Sequence, residues 1–401
     1  MLKYIIAAVV SILMMPHCAM AQKAEISKAR ANIKNGAKLE EAENSMRQLL
    51  KDSVNRHNDK IWLTLFDAVK KQFDQLNEKL YLKQQSDTAK FFKHTLHMYD
   101  VLESLDSIDN IPTKNGKIEH AFRKRHSTFL DPYRHNLFNG GLYFIKKKDF
   151  GEAFRFFDSY VGCASQPLFS DFHYDKNDEK LLEAAYWATF CGYKMDDYEK
   201  IDRYTDLAER DISREVYTLQ YKSESFRLKG DTANYRKTLE LGFRKYPRHM
   251  YYFSHLAFYY GSSGRHKDVL EIGDRILAME KDNATVLIAM SSAYYNLKRY
   301  DECVSACDKV IEFGIYAPIV YANAGLSYYV QSLPLARKTR KTEEEKEKQQ
   351  TFYKRARTYL ENYRKMRPQD TSVWLQPLYD IYLNLNMGDQ FEEIEQLFNK
   401  Q

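Results

Sequence analysis

Two pairs of residues in this 401-residue chain have types and spacing that could do chemistry. Cys303 and Cys307, in RYDECVSACDKVIEFG, stand four apart, and His94 and His97, in KFFKHTLHMYD, stand three apart. On a helix either spacing puts both side chains on one face. Paired thiols can bind a soft metal or form a redox couple, and paired imidazoles can hold a divalent transition metal. Neither pair has further ligands close by in the sequence, and a disulfide across one helical turn is geometrically poor. Cys303 and Cys307 therefore read as small hydrophobes in a core, and His94 and His97 as a partly exposed helix face. Whether Cys163 and Cys191 pair is left open by the sequence. There is no Gly-rich phosphate loop, no H-E-x-x-H and no G-x-S-x-G, and the many carboxylates fall on helix surfaces, where they sit in water. No catalytic residue, cofactor or metal is expected, so the chain reads as a non-enzyme.

The elements that carry these residues read as helices. Hydrophobic residues make up 44% and charged residues 29%, a balance that excludes a disordered chain. Only 15 Gly and 9 Pro are present, too few for the turns of a sandwich or barrel. The 61 basic and 55 acidic residues leave +6, spread throughout, so no nucleic-acid partner is expected. Residues 1–21, MLKYIIAAVVSILMMPHCAMA, have an early lysine, a short apolar run, Pro16 and an A-x-A ending, the pattern of a cleavable signal peptide. The run is short for a membrane span. Cys18 lacks the flanking residues that would resemble a lipobox. Export to the periplasm or cell envelope is the expectation, with no transmembrane segment after cleavage.

From about Leu182 to Tyr328 the sequence aligns with itself at a shift of 34 residues. Phe226, Tyr260, Tyr294 and Tyr328 form one column, and Leu219, Phe253, Leu287 and Tyr321 another. Ser223, Ala257, Ser291 and Gly325 form a column of small residues. Each unit holds two amphipathic helical patterns around a polar turn. In that register Cys303 shares a column with Tyr235, Val269, Ala153 and Ala356, and Cys307 with Leu239 and Gly273. Further units start near 134 and 371, with an insertion around ASQPLFSDFHYDKNDEK and another after Pro318. Pro334 is expected to end one helix, and Thr342 with Glu345 to open the next as a capping box running through Met366. Residues 22–130 read as helical with a looser pattern. DNIPTKNGK at 109–117 reads as the linker to the regular half, 131–401.

These columns resemble the tetratricopeptide repeat (TPR), and with the leader the chain resembles secreted TPR proteins of Gram-negative bacteria. The resemblance implies an all-α, right-handed α-solenoid of helix-turn-helix repeats, with units near 134, 182, 216, 250, 284, 318 and 371. It also implies a protein-interaction scaffold that lines its groove with the first helix of each pair. In this register the groove positions include Tyr186, Phe190, Tyr193, Tyr217, Arg227, Tyr251, Phe258, Tyr295 and Tyr329, with Gln220, Glu224, Ser254, Ile288, Ser292 and Leu326 between them. An aromatic set of this kind suits a peptide or protein segment. Glycan binding in carbohydrate uptake at the outer membrane is the alternative. Four Asp-Ser/Thr-apolar triplets, at Asp52, Asp87, Asp106 and Asp231, resemble O-glycosylation acceptors of some Gram-negative bacteria and equally suit helix caps.

Overall fold

The computed structural model describes residues 22–109, 111–112 and 118–398. Residues 1–21, expected to be a signal peptide, and most of the expected 109–117 linker lie outside the described residues. The chain divides into two compact units, one ending at Gly230 and one starting at Asp231. This division differs from the expected one at 130/131. A single hydrophobic core runs from Ile26 to Tyr221 and takes in Leu130, Leu137 and Phe138, so the chain has no seam there.

The first unit opens with helices 22–35 and Leu39–Leu49. Long helices Asp59–Tyr81 and Thr88–Ile108 pack on each other, as do Arg134–Lys146 and Phe150–Gly162, then Leu181–Lys194 and Tyr198–Ala208. Short turns between packed neighbours make each couple a helix hairpin. Helices of 23 and 21 residues cannot fit a 34-residue unit, which is why the period fails in this region. Ile111–Pro112 and Ile118–Glu119 form a minimal antiparallel pair between Ile108 and Arg123.

The insertion after Cys163 folds inward. Pro167–Phe172 is a short 3-10 segment kinked at Phe169 and Tyr174–Asn177 a single helical turn, and their Leu168, Phe169 and Tyr174 are buried. Arg134 pins them. Its guanidinium lies between the Tyr160 ring (3.8 Å) and the Tyr174 ring (4.0 Å) and pairs with Asp178 at 2.7 Å. It also donates to the Tyr160 carbonyl at 2.9 Å.

In the second unit the hairpins Met250–Ser262/His266–Leu277, Ala284–Asn296/Tyr300–Glu312 and Pro318–Ala336/Glu343–Met366 follow one another. Thr371–Asn384/Gly388–Phe398 closes the unit. The leading helices at Leu181, Glu215, Met250, Ala284 and Pro318 start 34 or 35 residues apart, as the columns require. The fold is all-α, and within each unit successive helix pairs stack in the manner of an α-solenoid. The small column acts as expected, since a methyl group on Gly325 would stand 2.7 Å from the Leu360 side chain.

The turn inside each repeat is closed in two ways. Asp197 and Asp231 cap the following helix by accepting from the Lys200 and Asn234 amides at 3.1 Å. One and two periods on, the same slot holds Arg265 and Arg299. They bridge to Asp268 and Glu302 and lie over the Tyr260 and Tyr294 rings at 4.4 and 4.7 Å. The large aromatic of the first helix thus fills the hairpin and also anchors the turn that follows it.

Three of the four Asp-Ser/Thr triplets have a capping role. Asp52, Asp87 and Asp231 accept from amides at Val54, Lys90 and Asn234. Asp106 instead takes a two-pronged bond from Arg123, both distances 2.8 Å. The capping box forms as read, with Glu345 donating its amide to Thr342 Oγ1 at 3.2 Å and returning Oε2 to the Thr342 amide at 3.1 Å. Pro334 does not end its helix, which continues to Ala336. Among the described residues no helix is long and apolar enough to cross a membrane.

Candidate functional site

The second unit contains an apolar cleft of about 530 Å³. Phe253, Ala257 and Phe258 of Met250–Ser262 form one wall, and Ile288, Ala289 and Ala293 of Ala284–Asn296 the other. His266 and Val269 from the intervening helix lie between these walls. The cleft opens because leading helices of adjacent repeats present small residues to each other, and Ala257, Ala289 and Ala293 leave room that larger side chains would fill. Ser254, Ser262, Thr285, Ser292 and Asn296, with the His266 imidazole, put a few polar groups around a mainly carbon surface. Phe258 is 77% exposed, a large apolar ring held in water beside the cleft.

The groove residues expected from the sequence are divided by the structure. Phe258 lines the cleft, with Ser254, Ile288 and Ser292 from the same set. Tyr186 is buried, and its hydroxyl meets that of Tyr221 at 3.2 Å, so its ring serves packing and presents no surface. Tyr193 stacks on Tyr221 at 4.7 Å, and Phe190 packs edge-on to Trp187 and Phe150. Arg227 pairs with Glu224 at 2.5 Å, and Tyr217 is 45% exposed; both lie in the first unit. In the second unit Tyr251 lies against His255 with ring centres 4.1 Å apart. There too, Tyr295 is half-buried against Tyr300, and Tyr329 donates to Asp380 Oδ2 at 2.5 Å. The helical register places these residues but does not say which ring finds a neighbour. Ala257, Ala289 and Ala293 were missed as cleft residues, and their signal was small size on the leading helices.

Cys303 and Cys307 are fully buried beside Val304 and Val310, as core packing requires. A hydrogen bond to Cys303, reinforced by burial, pushes the Cys307 thiol well above its ordinary value, so it stays protonated. Cys163 and Cys191 are free, buried thiols, and burial pushes Cys191 up to about 12. Their burial fits packing. The histidine pair does not stand alone. Glu43, on Leu39–Leu49, brings its carboxylate to His94 and His97 on Thr88–Ile108. No spacing rule links position 43 to positions 94 and 97, so only the packing of the two helices shows the group.

No family model matches the chain, and no curated protein matches it. Among solved structures it is similar to the TPR domain of P58(IPK), at 12% identity and a TM-score of 0.28, over 94% of this chain and 98% of that one. It is similar to a tetratricopeptide repeat protein from Parabacteroides merdae ATCC 43184, at 12% identity and a TM-score of 0.23, over 84% and 92%. It is also similar to the Cut9–Hcn1 hetero-tetramer of the APC/C, at 12% identity and a TM-score of 0.28, over 92% and 76%. These scores are low, and the repeat reading rests on this chain's own helix pairs.

Proposed function

We propose that this chain is a non-catalytic interaction scaffold of the cell envelope, exported by its leader, which holds an apolar-faced peptide or helix in the cleft of the second unit. The observation behind this reading is the cleft itself, apolar along both walls, with the exposed Phe258 ring beside it. Such a groove suits an amphipathic helix laid with its apolar face inward. Phe258 would be the anchor that loses water on binding. A glycan would need more convergent hydrogen-bonding groups than the few that surround this carbon surface.

The test is a binding titration with a library of amphipathic peptides and, in parallel, a panel of oligosaccharides. A peptide selected by the wild type is expected to bind Phe258→Ala about tenfold to a hundredfold more weakly, roughly 1.4–2.8 kcal/mol, with helicity unchanged. Binding only by oligosaccharides, or a peptide indifferent to Phe258, overturns the reading. Terminal sequencing of the exported protein checks the leader, and a mature chain starting at Gln22 is expected.

A further inference from the structure

We propose that Glu43, His94 and His97 form a binding site for a divalent transition metal, with zinc as the best-suited ion. One donor atom from each residue comes within 4.8 Å of the other two. His97 Nδ1 stands 3.5 Å from Glu43 Oε1, and the two imidazole rings are perpendicular with centres 5.9 Å apart. Two imidazoles and one carboxylate make a donor set that zinc accepts, with a fourth position for water.

Three further observations favour a ligand. His94 Nδ1 is shielded from solvent and has no hydrogen-bond partner, an arrangement that costs free energy until something fills it, and the shielded His97 Nδ1 has only the 3.5 Å approach of Glu43 Oε1. Gln72, buried on Asp59–Tyr81, donates to Glu43 Oε2 at 2.7 Å and fixes the plane of the carboxylate, as supporting residues of metal sites do. Both histidines lie on one rigid helix of 21 residues, which sets their mutual position before any ion arrives.

Zinc donors at about 2.0–2.1 Å from the metal sit roughly 3.3 Å apart. The group must therefore close by up to about 1.5 Å, within the reach of side-chain torsions. Arg47 is the resident cation, donating to Glu43 Oε1 at 2.8 Å. Its side chain is 39% exposed, so it can swing into solvent when a metal takes over the charge.

The experiment uses the full chain, freed of metal by chelator, with Co²⁺ and Zn²⁺ alone as probes. One Co²⁺ per chain is expected to give the visible absorption of a low-coordinate site and to be displaced by one Zn²⁺. His94→Asn and His97→Asn are each expected to weaken binding roughly tenfold or more, and the Cys303→Ala/Cys307→Ala double variant to leave it unchanged. If a histidine variant does not fold, the wild type alone decides. Zinc is expected to protect both His94 and His97 from ethoxycarbonylation, read by peptide mass spectrometry. The proposal falls if no stoichiometric uptake occurs, if either folded histidine variant binds as tightly as wild type, if uptake is lost with the cysteines, or if neither histidine is protected.

Discussion

The two units bury different chemistry. The first takes charged side chains out of water: Glu43, Asp106, Asp109, Arg134 and Glu224 are all buried there. Among the described residues of the second unit the buried polar side chains are neutral, namely Thr238, Ser291, Asn323, Ser327, Ser332 and Gln349. The second unit repeats one small apolar interface, so its core needs only columns of matching size. The first joins helices of unequal length and folds an insertion into itself, and fixed polar contacts set the register there. Arg134 with Asp178 and Arg123 with Asp106 are two such contacts. A regular repeat can rely on shape, whereas an irregular one uses buried charge, which is costly to leave unpaired. The candidate sites follow the same division, with a carbon-walled cleft in the second unit and a charged ligand cluster in the first.

The contrast can be broken most directly at Arg134. Arg134→Met takes the ion-pair partner from the half-buried Asp178 and the cation from between the Tyr160 and Tyr174 rings, and is expected to destabilise the first unit by about 3 kcal/mol. Hydrogen exchange should show lost protection up to Gly230 and none beyond Asp231. Equal loss across both units would mean that the charged contacts hold more than the first unit.

Shape should be the weak point of the second unit. Gly325→Val drives methyl groups into the buried Leu360 and is expected to cost about 1–3 kcal/mol. Gly261→Ala is the control, because a methyl group there meets nothing within 4 Å. A thermal melt should show the first variant lowered and the second unchanged or slightly raised.

A pH titration sharpens the comparison. Burial, with the nearby carboxylates of Asp100, Asp158 and Asp106, raises the Glu103 carboxyl to about 8 from 4.5. Its folded-state value lies above its unfolded value, so the protonated form is the one the fold favours. Its contribution is fully present below pH 4.5, declines as pH rises, and is gone above about 8. Glu103→Gln keeps an amide beside Gln166 and removes the titration. Denaturant melts at pH 8.5 should show the variant more stable than wild type by on the order of 1–2 kcal/mol, with no gain at pH 4.5. A pH-independent difference would remove Glu103 from the account.

The smallest effect is expected at the cysteines. Cys303→Ala and Cys307→Ala each leave a small residue in a small buried slot, at about 1 kcal/mol. Loss of folding in either would show that the thiol pair does more than fill space.

What the sequence determined by itself was the repeat. The columns through Phe253, Tyr260, Leu287 and Tyr294 set helix identity, hairpin spacing and the inward placement of Cys303 and Cys307, because a helix pair of fixed length must present the same residue sizes at the same steps. The Thr342–Glu345 capping box was equally local and equally readable. Tertiary structure decided what no local pattern encodes. It chose Tyr221 as the partner of Tyr186 and Tyr193, left Phe258 in water, folded the 163–180 segment inward around Arg134, and brought Glu43 to His94 and His97. Each of these joins residues from different helices. Their distances depend on how helix faces rotate and slide against one another as they pack, and spacing along the chain does not record that rotation.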